Sequence, residues 1–315
     1  MLKYIGKRLL LMIPTLLIVA IIAFGLIRLI PGGPALKYLG LNATPEMIEN
    51  MNRQLGLDKP VLDQFFEFIG GLFTGNLGTS YTYKQPVFDV INNRMPVTIQ
   101  IAAVSILIAI LLGVPLGFLS GVKHGSALDR AIVALTTCGI AMPEFWVALL
   151  LAQNVALKIK WFPTGGYKPL SEGFVPWLQH IILPAITLGL IFAAVLTRMT
   201  RSSIIDVLEQ DYIKTARSKG QVERKVLVRH ALRNALVPVV TTIGISVCTL
   251  LGGAVLVEEI YSIPGIGRLL LHAIMDRDYP LFTGLMFYIG ALVVIVNVVV
   301  DLVALALDPR IAYDK

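Results

Sequence analysis

Six apolar runs long enough to cross a bilayer dominate the chain, at residues 9–30, 97–122, 131–157, 181–197, 235–257 and 281–307. A hydrocarbon layer about 30 Å thick asks for roughly 20 apolar residues per crossing, and inside it every backbone amide and carbonyl must find its partner within the protein. Runs of this length read as helices, because a membrane barrel would show short alternating strands instead. The run at 181–197 is the shortest and is expected to extend at both ends. With 56% hydrophobic and 15% charged residues and a mean hydropathy of +0.76, the chain is excluded from the soluble class. The expected fold is therefore an all-α membrane protein of six transmembrane helices, which places both termini on one side.

The first run follows Lys3, Lys7 and Arg8, as a secretion signal would. It is too long for a signal core, and Pro31-Gly32-Gly33-Pro34 stands where a small-residue cleavage site should be, so it reads as a retained span. Placing the termini in the cytoplasm assigns 16 Lys and Arg to the inside segments 1–8, 123–130, 198–234 and 308–315. The longer outside segments 31–96, 158–180 and 258–280 then hold 10, so the positive-inside rule favours cytoplasmic termini. Lys158, Lys160 and Lys168 run against it locally. The net charge of +7 is explained by these inner loops and calls for no nucleic-acid partner. Cys138 and Cys248 lie in apolar runs without metal or disulfide spacing and read as packing residues.

Three regions follow: 1–30, the N-terminus and first helix; 31–96, a small exterior element; and 97–315, the core with a cytoplasmic loop at 198–234. In the exterior element, Thr44-Pro45-Glu46-Met47 predicts a capped helix from Pro45 to Leu55 that stops at Gly56. Val61 to Leu72 predicts a second helix with Leu62, Phe65, Phe66 and Ile69 on one face. In the cytoplasmic loop, Ser203 to Lys219 reads as one amphipathic helix with Ile204, Ile205, Leu208, Tyr212 and Ala216 toward one side, ended by Gly220 as a left-handed cap. A new helix from Val222 to Asn234 then leads into the fifth span. Such a loop is either a charged membrane-surface segment or a docking element for a partner, and the apolar stripe needs a cover.

The stretch from Asp206 to Gly220 resembles the EAA loop of ABC importer permeases in its peptide/nickel form. Lys214, Thr215 and Ala216 stand where the general pattern E-A-A-x-x-x-G has E-A-A, Gly220 keeps the glycine, and His230-Ala231-Leu232-Arg233 stands where I-x-L-P would. Further segments are similar to elements of the same family: Arg28-Leu29-Ile30-Pro31-Gly32-Gly33-Pro34, Leu55-Gly56-Leu57-Asp58-Lys59-Pro60, Gly75-Asn76-Leu77-Gly78-Thr79-Ser80, Glu258 to Gly267, Arg277-Asp278-Tyr279-Pro280 and Asp308-Pro309-Arg310-Ile311.

The resemblance implies the type I importer permease fold in a bacterial inner membrane. It also implies a homologous second permease subunit, two ABC ATPase subunits that bind ATP and Mg, and an extracytoplasmic solute-binding protein. This chain itself would carry no cofactor and no catalytic residue, and it contains no G-x-x-x-x-G-K-[ST]. Asp206, Asp211, Tyr212, Lys214, Thr215, Ala216, Arg217 and Gly220 would form the ATPase-coupling segment. Peptide cargo leads on family breadth. Nickel or a metal complex is the alternative, because Pro34 to Leu39 and Thr44 to Met47 look like the nickel branch.

Two intramembrane charges are candidates for the translocation pathway. Arg28, near the outer end of the first span, either snorkels to headgroups or meets cargo. Glu144, beside Pro143, is either a structural pair or protonated hydrogen bond, or a pathway group that favours cationic cargo. The four histidines show no metal-ligand spacing. A membrane-embedded enzyme would need an H-E-x-x-H, a G-x-S-x-G or an intramembrane aspartate pair, and a lone ion-coupled transporter would need paired intramembrane charges and inverted repeats. Neither set is present in the sequence.

Overall fold

The structure, a computed structural model, describes residues 2–307 except 41 and 160. The Asp308-Pro309-Arg310-Ile311 segment and Lys160 lie outside the described residues. In chain order the helices are α1 (Leu2–Leu26), α2 (Pro34–Leu39), α3 (Pro45–Gln54), α4 (Val61–Thr74), α5 (Val87–Val122), α6 (Ala127–Ala141) and α7 (Glu144–Leu151). They continue with α8 (Phe174–Leu208), α9 (Asp211–Ser218), α10 (Glu223–Lys225), α11 (Arg233–Gly253), α12 (Val255–Ile260), α13 (Ile266–Met275) and α14 (Tyr279–Leu307). Among the described residues there is no strand beyond an isolated bridge between Thr79 and Pro86.

Five continuous stretches are long and apolar enough to cross a membrane: Leu10–Leu29, Val87–Val122, Phe174–Leu208, Glu223–Leu251 and Tyr279–Val303. The run at 181–197 does extend at both ends, into the 35-residue α8. The run at 131–157, read from sequence as one span, is broken: α6 and the α7 segment to Ala156 meet at a 97° bend. Pro143 is the cause. A residue before proline is driven out of the helical region, and Met142 is accordingly extended at φ −79°, ψ 126°.

The chain divides into two compact units, one made of residues up to Thr98 together with Pro264–Val294, the other of Ile99–Ile263 with the segment from Ile295 onward. In the first unit α3 begins as predicted: Thr44 Oγ1 accepts from the Met47 amide at 3.3 Å, Pro45 takes the first helical position, and Gly56 follows the helix at φ +69°. On α4 the expected single apolar face is corrected. Phe65 and Phe68 pack their rings near Phe24 of α1, at centroid distances of 5.2 and 6.1 Å, whereas Leu62 and Phe66 are exposed. The helix is apolar on more than one side, so periodicity alone did not select the packed one.

One fully buried carboxylate organises this unit. Asp278 accepts hydrogen bonds from Ser80 Oγ (2.5 Å), the Thr82 amide (2.9 Å) and the Leu281 amide (3.1 Å). It thus caps the first turn of α14 and holds the turn at 80–86. Its neighbour Arg277 donates to the Ile30 carbonyl at 3.2 Å, which explains why Arg277-Asp278-Tyr279-Pro280 forms a unit.

In the second unit, α5 and α8 approach with almost nothing between their backbones. Gly113, Gly117 and Gly121 lie one turn apart along α5. A Cβ at Gly117 would stand 2.5 Å from the Thr197 carbonyl oxygen, and one at Gly113 would stand 2.8 Å from that of Ala193. Lipid tails are as apolar as leucine, so such helices associate by close packing rather than by hydrophobic exclusion, and small residues at every fourth position permit it. Gly117→Val is expected to force α5 from α8 and abolish a monodisperse peak in detergent chromatography. Gly25→Val, at a position where an added Cβ meets nothing within 4 Å, should elute as the unsubstituted chain does.

Candidate functional site

The segment from Asp206 to Asn234 forms a folded knob. The single helix expected over 203–219 is in fact two: α8 ends at Leu208, Gln210 is extended at φ −68°, ψ 145°, and α9 starts at Asp211. The break shifts the helical phase. Ile213 and Ala216, rather than Tyr212 and Ala216, form the inward face of α9, while Tyr212 is 43% exposed. Ile213 and Ala216 are buried with Val226 and Ala231, and Val207 and Leu208 pack against that cluster. Burying an isoleucine of this kind contributes about 1.5–3 kcal/mol, enough to fix an eight-residue helix that would not form in isolation.

The end of α9 closes as the glycine predicted. Gly220 lies at φ +74°, its amide donates to the Arg217 carbonyl at 2.9 Å, and the Gln221 amide returns to the Ala216 carbonyl at 3.3 Å. Beyond it the helix expected from Val222 is irregular: α10 passes into a π turn over Val226–Leu232 before α11 begins. Widened turns of this type are frequent at functional sites. Nothing in the residues from Val226 to Leu232 signals it.

Polar contacts tie the knob together. Asn234 Nδ2 donates to Tyr212 Oη at 2.9 Å, and His230 Nε2 lies 3.0 Å from Gln221 Oε1. Arg217 pairs with Glu223 at 2.7 Å, which raises the guanidinium pKa. Lys214 pairs with Asp211 at 2.9 Å, and that hydrogen bond holds the Asp211 carboxyl below its ordinary value. Asp211, Tyr212, Lys214, Thr215 and Arg217 are exposed on the outer side of α9. Of the other predicted residues, Ala216 belongs to the buried face, Gly220 sets the turn, and Asp206 stands on α8 before the break.

Sequence reasoning missed the anchor of this region. Asp129, 2% exposed at the start of α6, receives both Nε (2.6 Å) and Nη2 (2.9 Å) of Arg201 from α8. Ser120 Oγ of α5 (2.5 Å) and the Gly125 amide (2.9 Å) also donate to it. A forked guanidinium–carboxylate pair with every lone pair used is among the strong polar contacts. Arg201, counted from sequence among the loop cations, is thus a structural residue. Its partner is 72 positions away, and no local pattern could have announced it.

Glu144 is the first residue of α7, just past the break. It is half-buried and has no hydrogen-bond or ion-pair partner among the described residues. Beside it, Cys138, Ala141, Met142, Pro143, Phe145 and Trp146 line an open, apolar hollow. Arg28 belongs to the first unit. Its Nη1 donates to the Phe24 carbonyl and its Nη2 to Gln64 Oε1, both at 2.8 Å, and its guanidinium lies 3.4 Å from the Phe24 ring centroid. Among the described residues no three His, Cys, Asp or Glu side chains are grouped to hold a metal ion.

Comparison with known proteins decides the class. A family model described as binding-protein-dependent transport system inner membrane component matches residues 113–313, and its N-terminal counterpart matches residues 1–102. The chain belongs to this family of transport permeases. Similar permeases include a protein of Brucella abortus (strain 2308) named as a peptide transport system permease, 42% identical over 98% of both chains. A di/tripeptide transport system permease of Pseudomonas aeruginosa (strain UCBPP-PA14) and a dipeptide transport system permease of Escherichia coli (strain K12) are each 38% identical over the full length of both chains. Membership accounts for the many apolar helices of the chain.

In this permease the buried face of α9 fixes the exposed one. Ile213→Ser is expected to release α9, and hydrogen exchange at the amides of residues 211–218 should rise at least about tenfold, as a loss of 2 kcal/mol or so of burial implies.

Proposed function

We propose that this permease subunit forms half of the pathway of an ATP-driven peptide importer, with the exposed side of α9 as its contact to an ABC ATPase subunit. The carrying observation is the knob itself: a short helix clamped from beneath by Ile213 and Ala216 presents Asp211, Tyr212, Lys214, Thr215 and Arg217 outward. A charged face on a rigid support suits docking better than a loose membrane-surface segment. In this reading the termini and the knob are cytoplasmic, the segment between α1 and α5 is exterior, and a second homologous permease completes the pathway. Two ATPase subunits bind ATP and Mg, and an extracytoplasmic binding protein delivers cargo. ATP-driven closure of the ATPases would move α9, and through it α8 and α11, between two states of the pathway.

Peptide is favoured over nickel because the similar permeases named above are peptide or dipeptide transporters. Glu144 is assigned to the pathway. A carboxylate at a broken span is sustained where it meets a wet cavity, and Glu144 has no protein partner among the described residues.

Gly220 provides the decisive test. A Cβ there meets nothing within 4 Å, so substitution acts chiefly through backbone strain, about 1–2 kcal/mol for an L-residue held left-handed. In cells carrying the whole transporter, Gly220→Val should insert normally but lose dipeptide uptake while ATP hydrolysis continues. Gly220→Asn, which tolerates that conformation, should retain uptake, and equal uptake by both variants refutes the docking role. Glu144→Gln should lower uptake of lysine-containing dipeptides at least severalfold relative to neutral ones, and an unchanged preference removes Glu144 from the pathway.

A further inference from the structure

We propose that a cavity in the first unit receives the C-terminal carboxylate of a short peptide, with Arg28 as the group that binds it. The cavity is about 310 Å³ and is lined by Arg28 together with Phe24, Phe68, Tyr81, Tyr279 and Glu67 among others. That volume sits at the small end of the roughly 300–1,000 Å³ found for small-molecule pockets, which suits a di- or tripeptide end and excludes a long chain lying wholly inside. The identity of the carboxylate rests on the peptide reading above; the site's chemistry does not.

A guanidinium sunk into an aromatic-walled hollow calls for a counter-charge, because a half-buried cation is costly unless paired. Arg28 has none in the protein: no carboxylate lies within 4.0 Å of it among the described residues, and Glu67, the acid that lines the cavity, is bound instead to Lys59. Two of its N–H groups are spent on the Phe24 carbonyl and Gln64 Oε1. The Nε–H and the second N–H of each terminal nitrogen remain, an array matched to the two oxygens of a carboxylate.

The geometry also holds the guanidinium still. Gln64, which accepts from Arg28, donates its own amide to the Lys59 carbonyl at 2.9 Å, so the α4 helix and the turn before it position the cation. The Arg28 guanidinium lies over Phe24 at 3.4 Å and over Tyr279 at 5.3 Å. Tyr279, which is 9% exposed, has a hydroxyl with no hydrogen-bond partner among the described residues, leaving a second donor on the cavity wall. An Arg serving only to fasten α4 to α1 would need neither the open volume nor the unsatisfied donors.

The test is equilibrium binding of dialanine and of dialanine amide to the assembled transporter in lipid nanodiscs without its binding protein. The amide, and Arg28→Gln with dialanine, should each bind at least about tenfold more weakly, as the loss of a charge-assisted pair implies. Arg28→Lys should fall between. Absent dialanine binding, equal affinity for the amide, or unchanged affinity in Arg28→Gln overturns the proposal. If Arg28→Gln fails to assemble, Leu57→Trp crowds the cavity while leaving the Arg28 hydrogen bonds in place. It should lose dialanine binding, and wild-type affinity in that variant equally overturns the site. Dialanine uptake by cells with the unmodified transporter is measured alongside: its failure refutes the peptide cargo, whereas carboxylate-dependent binding judges the cavity separately.

Discussion

An amide or carbonyl inside hydrocarbon has no water to turn to, and this one constraint shapes the permease. It makes long helices obligatory, so each departure from regular helix stands out. Three of the departures are the extended Met142-Pro143 step, the π turn at Ala152–Ala156 that follows α7, and the π turn at Val226–Leu232. The first presents Glu144 and the last underlies α9, the two places the proposed function uses. Elsewhere the helices are held by contacts that need no water to drive them, above all the glycine-mediated approach of α5 to α8.

The knob and the membrane helices are joined by specific fastenings. Asp129 gathers α5, the turn before α6, and Arg201 of α8, two turns before the α8 helix ends and α9 begins. Ile213 and Ala216 then seat α9 on residues of the chain leading into α11. In the proposed coupling, a push on α9 would be delivered to two long helices rather than dissipated in a linker, as a two-state element requires.

Much of this was legible in the residues because it is local. Thr44 before Pro45, Gly56 after Leu55 and Gly220 after Lys219 each announce a helix end through a short-range conformational rule, and each is found there. The apolar runs gave the spans for the same reason. What stayed hidden depends on phase or distance. The break at Gln210 rotates α9 so that Ile213 replaces Tyr212 on the inner side, and a pattern read through the break picks the wrong face. The bend at Pro143 was hidden within a run of unbroken hydrophobicity. Arg201 reads as one more loop cation until Asp129 is brought to it. The left-handed turn at Gly220 was legible because its signal is a backbone signal, while the surroundings of Glu144 and of the Arg28 guanidinium emerge only when their neighbours are known.

The buried Asp278 bears on how the chain is made. It and Ser80 are 198 positions apart, and Arg277 and Ile30 are separated by 247. During synthesis the early helices must therefore wait in the bilayer with the turn at 80–86 unlocked until Asp278 itself has been made. Truncation ahead of Arg277 and Asp278 would leave the N-terminal third without the two residues that hold Ile30 and the turn at 80–86.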